Sequence, residues 1–315
     1  MKDEPFSKDS QFQRPLISVV IPVYNEKQDI FKNTLESVVK QTYNNIEIAV
    51  VDDGSDVDIH SVIEQLNDHR ISYYKLKHQN ANVARNFGIE KSKGKYIAML
   101  DSDDIWIETH IEDCIRLIEN ACADGLYGSL ILKNPVKNTQ QLVSVRELKA
   151  SETMIDYLLS AGYGAQTSTL FLSSESAKNI LWNPRLNRHQ DYDFVVRYSK
   201  KYKFAVKTTP SVIYLISNKT SVIDFKSCIQ FIKENKKDIS PNLYNNYNRQ
   251  MLYLAKSRNE PHEIIEYYRI EAVRYKEFVS YVQFMVIREP QSHIKKFKLK
   301  LEYLFYILYA YFTIL

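Results

Sequence analysis

Tyr96-Ile97-Ala98-Met99-Leu100-Asp101-Ser102-Asp103-Asp104 drives an apolar run straight into three carboxylates, with no basic residue among them. A buried strand ending this way crowds like charges at its carboxyl end, which is costly unless a cation neutralises them. Oxygen-only ligands suit Mg²⁺ or Mn²⁺, and Mg²⁺ is commonly held by one or two carboxylates together with substrate phosphates. The same acids also read as caps of a helix beginning near Ile107, since Asp is favoured at N-caps. Their neighbours in the chain decide between the two.

Upstream, Leu16 to Ile21 is a continuous, largely β-branched run closed by Pro22, the pattern of a strand buried on both faces of a parallel sheet. Pro22-Val23-Tyr24-Asn25 forms the loop at its end. Ile30, Thr34, Leu35, Val38 and Val39 follow at helical spacing. A second strand, Ile46 to Val51, ends in Asp52-Asp53-Gly54-Ser55, and a third, Ile71 to Leu76, ends in the polar loop His78 to Asn82. The segment from Val83 to Glu90 is short and helical. Ile107, Ile111, Cys114, Ile115, Ile118 and Cys122 form one stripe of a further helix. Strand and helix alternating over short connections predicts a mostly parallel α/β sheet, whose ligands bind outside the carboxyl ends of the strands. Three such ends, Pro-Val-Tyr-Asn, Asp-Asp-Gly-Ser and Asp-Ser-Asp-Asp, then share one edge. Gly54 is the only glycine in the first two strand–helix turns, and no phosphate-cradling Gly-Lys-Ser/Thr loop follows. Bound phosphates must therefore be held by metal and side chains.

With 315 residues, 12% aromatic and 25% charged, the chain holds one large domain or two ordinary ones and is globular. Its net charge of +4 is uneven: residues 219–315 carry a surplus of six positive charges, leaving −2 for residues 1–218. A uniformly basic nucleic-acid binder has no such distribution. Cys114, Cys122 and Cys228 lack metal-ligand spacing, and buried free thiols in a reducing compartment are expected. Residues 1–14 are polar, read as a disordered leader, and lack the apolar core of a signal peptide, so a cytoplasmic protein is expected.

Five pieces resemble the family 2 glycosyltransferases: Ser18-Val19-Val20-Ile21-Pro22-Val23-Tyr24-Asn25; Leu35-Glu36-Ser37-Val38 with Gln41-Thr42-Tyr43; Val51-Asp52-Asp53-Gly54-Ser55; Ala84-Arg85-Asn86-Phe87-Gly88-Ile89; and Leu100-Asp101-Ser102-Asp103-Asp104. None is specific alone, but they stand in the family's order over residues 16–110. The resemblance implies a GT-A fold, Rossmann-like with a mostly parallel central sheet flanked by helices. It also implies an inverting, metal-dependent enzyme using a nucleotide-sugar donor. Pro22, Tyr24, Asn25 and Asp53 would then meet the base and ribose. Tyr24 offers a ring face, and Asp53 offers acceptors to a uracil imide or to ribose hydroxyls. Arg85 and Asn86 match the donor-contacting segment; Arg85 would pair with a phosphate bidentately, with a surface ion pair as the alternative. The glycine often preceding that motif is replaced here by Asn80-Ala81-Asn82. Asp101 would face the ribose and Asp103 would ligate Mn²⁺ or Mg²⁺, with Asp104 as the alternative ligand.

Beyond residue 125 the resemblance thins. Gly162-Tyr163-Gly164 and Gln166 to Phe171 read as a flexible loop running into a strand, a segment that lies under the acceptor in related enzymes and carries no chemistry. Arg188-His189-Gln190-Asp191-Tyr192-Asp193 resembles the family's second acidic motif, with Gln190-Asp191 in place of the usual Glu-Asp pair. Asp191 would be the general base, since a metal-assisted diphosphate leaves without a separate acid. The alternative is that Asp191 and Asp193 are first-turn acids meeting the helix dipole. His189 reads as a metal or diphosphate contact, or as a surface histidine.

The expected domains are a catalytic domain over 15–218 and a helical region over 219–315, with helical spacing across Ile264–Phe278. Residues 295–315 join a Lys cluster to an apolar, aromatic tail. Its uninterrupted apolar part is shorter than the ~18 residues of a spanning helix. It reads as a helix in the membrane interface at the cytosolic face, or as one docked in the protein's own core or a homodimer interface. Transfer of one sugar, a hexosyl or N-acetylhexosaminyl group from a donor that is UDP-linked by family precedent, to a glycan or lipid-linked glycan is the leading expectation. A nucleotide-sugar-binding regulator without turnover is the competing class, and metal-dependent donor hydrolysis separates them.

Overall fold

The computed structural model describes residues 14–161, 164–216 and 222–274. Residues 1–13 of the expected leader, Gly162-Tyr163 and the tail of 295–315 lie outside them. The first half alternates as its periodicity predicts: β1 (Ile17–Val23), α1 (Gln28–Val39), β2 (Ile46–Asp52), α2 (His60–Leu66), β3 (Ile71–Lys75), α3 (Ala81–Lys91) and β4 (Tyr96–Met99). A two-residue β5 (Ile105–Trp106) separates the acidic run from α4 (His110–Asn120), so that helix starts later than its apolar stripe suggests. Then come β6 (Gly125–Gly128), β7 (Leu130–Asn134), β8 (Thr139–Val143), α5 (Met154–Ala161), β9 (Phe171–Ser173), α6 (Ser174–Ile180), α7 (Gln190–Ser199), β10 (Phe204–Lys207) and β11 (Val212–Leu215).

Seven strands form the main sheet in the order β10-β6-β9-β4-β1-β2-β3, all pairs parallel except those made by β9. Since β1, β2 and β4 run the same way, their carboxyl ends do share one edge. β1 runs on through Pro22 to Val23, past the end expected at Ile21. The register explains why a proline is tolerated in so central a strand. The Val23 carbonyl accepts from Asp53 N toward β2, and the Val20 carbonyl accepts from Leu100 N toward β4. Alternation turns Pro22 to the β4 side, beyond Met99, where pairing has stopped, so its missing N–H costs no ladder bond. A second sheet, β5-β11-β7-β8, had no clear signal in the sequence. Its strands are two to five residues long, too short for a convincing alternation.

The core is β-branched and aromatic, with Val19, Ile21, Val50, Leu35, Phe31 and Ile111 fully or almost fully buried. Cys114 is buried as expected, but Cys122 is exposed: α4 ends at Asn120, and Cys122 sits beyond it with φ 44°. Gly88 lets α3 lie close on the sheet. A Cβ there would meet Val20 Cγ1 at 2.4 Å and Val51 Cγ2 at 3.3 Å, both core atoms. Gly88→Ala is expected to destabilise the protein by about 1–3 kcal/mol, the overpacking outweighing a helix-propensity gain of about 1 kcal/mol. Urea unfolding, read as a lowered midpoint at constant m, checks it.

The chain divides into two compact units, 1–150 with 163–222 and 151–162 with 223–315. The expected boundary near 219 lies close to the last crossing, at 222/223, but α5, inside the span expected for the catalytic domain, belongs with the helical unit. That unit also holds α8 (Phe225–Glu234), α9 (Pro241–Ser257) and α10 (His262–Glu271). Ser240 N donates to Asp156 Oδ1 (2.8 Å) and Thr153 Oγ1 donates to the Asp238 carbonyl (2.9 Å), contacts that tie α5 in and that no local pattern announces. The unit's core is tyrosine-rich: the buried Tyr244 hydroxyl donates to Glu271 Oε2 at 2.6 Å. Among the described residues no helix is long and apolar enough to cross a membrane.

Candidate active site

The acidic strand end is held from both sides. Asp104 is 0% exposed and does not cap α4, whose N-cap is Thr109 without a side-chain bond. Instead its Oδ2 accepts from Ser168 Oγ (2.5 Å) and Gln166 Nε2 (3.0 Å), while its buried Oδ1 has no hydrogen bond. Burial, reinforced by Asp101 and Asp103, holds its carboxyl well above the usual carboxylate range. Ser168 Oγ also accepts from Asp101 N (3.0 Å), and the Ser168 carbonyl accepts from Trp106 Nε1 (2.9 Å). Gln166 Oε1 in turn accepts from Ser168 N (2.7 Å) at the head of a 3₁₀ turn over Thr167–Thr169. The segment expected to carry no chemistry is thus the strut of the acidic end. Its signal in sequence is only two polar residues before a strand, 62 to 67 positions from the acids they hold.

Asp101 and Asp103 are half-buried at the open edge. Asp101 Oδ1 accepts from Arg85 Nη2 at 2.7 Å. Arg85 is 5% exposed, and its ion pair with the partly exposed Asp101 is half-buried. Its Nη1 donates to Gln190 Oε1 (2.9 Å) and Asn82 Oδ1 (3.1 Å), and its guanidinium stacks on Trp182 at 4.6 Å. Asn86 exchanges two bonds with the Trp182 backbone, accepting from its N–H (2.7 Å) and donating to its carbonyl (2.8 Å). The Asn80-Ala81-Asn82 departure is now accounted for. Asn80 accepts from Asn82 N and Val83 N as the N-cap of α3, and Asn82 Nδ2 donates to the Asn183 and Leu186 carbonyls.

Asp191 lies in the first turn of α7, which opens after His189 in the left-handed region (φ 57°). Burial pushes its carboxyl up, partly offset by a bond from Tyr192 N (3.0 Å) and by the Arg85 charge, with Asp101 opposing. Arg85, which reaches Asp101 with one amino group and Gln190, the residue before Asp191, with the other, links the strand end to the head of α7. Asp193 is the structural acid of the pair: it is buried and ion-paired with Arg197 at 2.6 Å. The His189 ring stacks on Tyr192, and burial together with Arg188 lowers its pKa to about 3, leaving the imidazole neutral. Tyr214 on β11 was not singled out in the sequence. Burial first, then the charges of Asp104, Asp103, Asp101 and Asp191, raise its hydroxyl.

At the neighbouring strand ends, Asp53 is 1% exposed; its Oδ1 accepts from Gln79 N (2.9 Å). Its buried Oδ2 makes no well-formed hydrogen bond, though His78 Nδ1 stands 2.9 Å away. Gly54, at φ 80°, makes the turn, and a Cβ there would meet His78 N at 2.7 Å. Asn25 Oδ1 accepts from Asp56 N (2.8 Å), joining the first loop to the second. Tyr24 is 46% exposed, but His78 already stacks on one ring face at 4.0 Å and 15°. Pro22 is buried within β1. Among the described residues no three His, Cys, Asp or Glu side chains converge on a metal-sized point. A metal shared with a diphosphate does not need such a cage.

An edge of parallel strand ends bearing acids, linked through Arg85 to the helix that carries Asp191 in its first turn, is the arrangement of a GT-A glycosyltransferase fold. The chain belongs to glycosyl transferase family 2, whose model matches residues 18–179. The amylovoran biosynthesis glycosyltransferase AmsB of Erwinia amylovora is 31% identical over 208 residues, covering 62% of this chain and 68% of AmsB. The Escherichia coli protein WfaP, a UDP-Glc:alpha-D-GlcNAc-diphosphoundecaprenol beta-1,3-glucosyltransferase, is 35% identical over 166 residues, covering 52% of this chain and 63% of WfaP. The chain thus spans about two thirds of either. In structure it is similar to residues 1–349 of S. aureus TarS in complex with UDP-GlcNAc, with TM-score 0.56, 15% identity, and coverage of 86% of this chain and 76% of that one.

Proposed function

We propose that this chain transfers a single sugar from a UDP-sugar to a glycan or lipid-linked glycan acceptor by inverting displacement with metal assistance. The meeting of the Asp101–Asp103 strand end with Asp191 at the head of α7, bridged by Arg85, carries this reading. The buried Oδ2 of Asp53, which has only His78 Nδ1 beside it and no well-formed hydrogen bond, suits a donor group such as a uracil imide N–H or a ribose hydroxyl, and the face of Tyr24 away from His78 suits the base. Asp101 faces the ribose. Asp103, half-buried where Asp104 is fully closed, would be the ligand for Mn²⁺ or Mg²⁺. Held there with the donor diphosphate, the metal supplies neutralisation of charge on the leaving nucleotide. Asp191 accepts the proton of the acceptor hydroxyl as that oxygen attacks the anomeric carbon, and a single carboxylate suffices. The neutral His189 ring is in the form that contacts a metal or a phosphate.

The name of WfaP supports a UDP-linked donor and a lipid diphosphate acceptor. The basic and then apolar sequence of 295–315 supports work at a membrane surface, where such an acceptor is anchored. Incubation with a panel of UDP- and GDP-sugars and a GlcNAc-diphosphate-alkyl acceptor is expected to release nucleotide from a UDP-sugar only with Mn²⁺ or Mg²⁺, and chelation is expected to stop it. Tight nucleotide-sugar binding with neither hydrolysis nor transfer would favour the regulator instead.

A further inference from the structure

We propose that one face of α3 is a cradle that sets the position of the catalytic base, with Asn86, Arg85 and Gln190 acting as positioning residues and not as donor contacts. This rests on Asp191 being the base, as argued above. Asn82, Arg85 and Asn86 stand at i, i+3 and i+4, so their side chains leave the helix on one face. All three send a polar group to the single segment 182–190, which delivers Asp191. Asn86 clamps the Trp182 backbone in both directions, Asn82 takes the Asn183 and Leu186 carbonyls, and Arg85 reaches Gln190 at the far end. Trp182 closes the arrangement, stacked between the Arg85 guanidinium and Phe194 of α7 (4.7 Å, 17°).

Arg85 gives the cradle its function, because its other amino group holds Asp101. A planar guanidinium fixes two acceptors at a set separation, which a lysine ammonium does not do. The strand end that meets the donor and the helix end that bears the base are therefore gauged against each other through one buried side chain. The departure at position 190 fits this. A neutral amide there supplies the acceptor without a second carboxylate, so the Arg85 charge remains paired with Asp101 alone. A misplacement of about 1 Å at a reacting group costs about 10²-fold in rate, so the gauge matters to turnover even though it touches no substrate.

The test compares Asn86→Ala, Gln190→Leu and Gln190→Glu with the parent. Calorimetry with UDP and Mn²⁺ is expected to give Kd values within about twofold throughout. Turnover at saturating UDP-sugar is expected to fall about tenfold or more in Asn86→Ala and Gln190→Leu, and Gln190→Glu, which keeps the acceptor for Arg85, is expected to restore it. Amide exchange in the ligand-free protein is expected to quicken over 182–191 in the first two variants and nowhere else. Weakened UDP binding with unchanged exchange would overturn the cradle in favour of direct donor contact, and unchanged turnover and exchange would overturn it outright. Asp191→Asn runs in parallel: if it retains turnover, the base assignment fails by itself, while the exchange pattern still decides the cradle.

Discussion

Asp191→Asn is expected to lower sugar transfer about 10²- to 10⁴-fold, the usual contribution of a general base, while UDP binding stays within about twofold. The asparagine keeps the volume and an oxygen for the Tyr192 N–H, so α7 should open as before; only the proton acceptor is lost. The pH profile adds a second check. Burial raises the Asp191 carboxyl, and the bond from Tyr192 and the Arg85 charge recover only part of that. Since the base works as the carboxylate, activity falls as pH drops through this raised pKa. The acid limb of kcat should thus stand above the ordinary Asp value of about 3.9. It should vanish from whatever activity remains in Asp191→Asn. Near-parental transfer by that variant, measured as single-turnover product formation, would remove Asp191 from the role and return it to the helix-dipole alternative.

Asp103→Asn is expected to reduce kcat/KM by about 10²-fold or more at fixed Mn²⁺, since metal stabilisation of a departing phosphate contributes several kcal/mol. Raising Mn²⁺ should recover part of the loss, because the donor diphosphate still offers ligands. Asp104→Asn gives the contrast. Its carboxylate is closed to solvent and accepts from Ser168 and Gln166, roles an amide oxygen keeps. The Mn²⁺ concentration for half-maximal activity should therefore move in Asp103→Asn and stay in Asp104→Asn. A shift seen only in the second variant would transfer the ligand role to Asp104.

These two acids illustrate how unevenly the site is legible. Both stand in one four-residue run, and the crowding of charge there is readable from residue types alone. Which of them faces solvent is decided by Gln166 and Ser168, more than sixty positions on, whose side chains close over Asp104. Arg85 and Asn86 show the same division. Their motif is plain in the chain, but a motif does not say whether a guanidinium meets a phosphate or an aspartate. Their partners, Trp182 and Gln190, stand 96 to 105 residues away. The stacking of His78 on Tyr24 is of this kind as well.

Taken by itself, the sequence determined the order of strands and helices through β4, the shared edge where β1, β2 and β4 end, the acids on that edge, and the family. These are properties of local periodicity and of short runs, which burial writes directly into the chain. Tertiary structure decided the antiparallel insertion of β9, the second sheet, the transfer of α5 to the helical unit, and the partner of nearly every polar group in the site. The physical reason is common to all of these. A hydrogen bond between side chains far apart in sequence satisfies buried groups without imposing any period on either segment, so it leaves no local trace to read. In Tyr96-Ile97-Ala98-Met99-Leu100-Asp101-Ser102-Asp103-Asp104, the run into the acids is a fact of sequence, and the division of labour among those acids is a fact of packing.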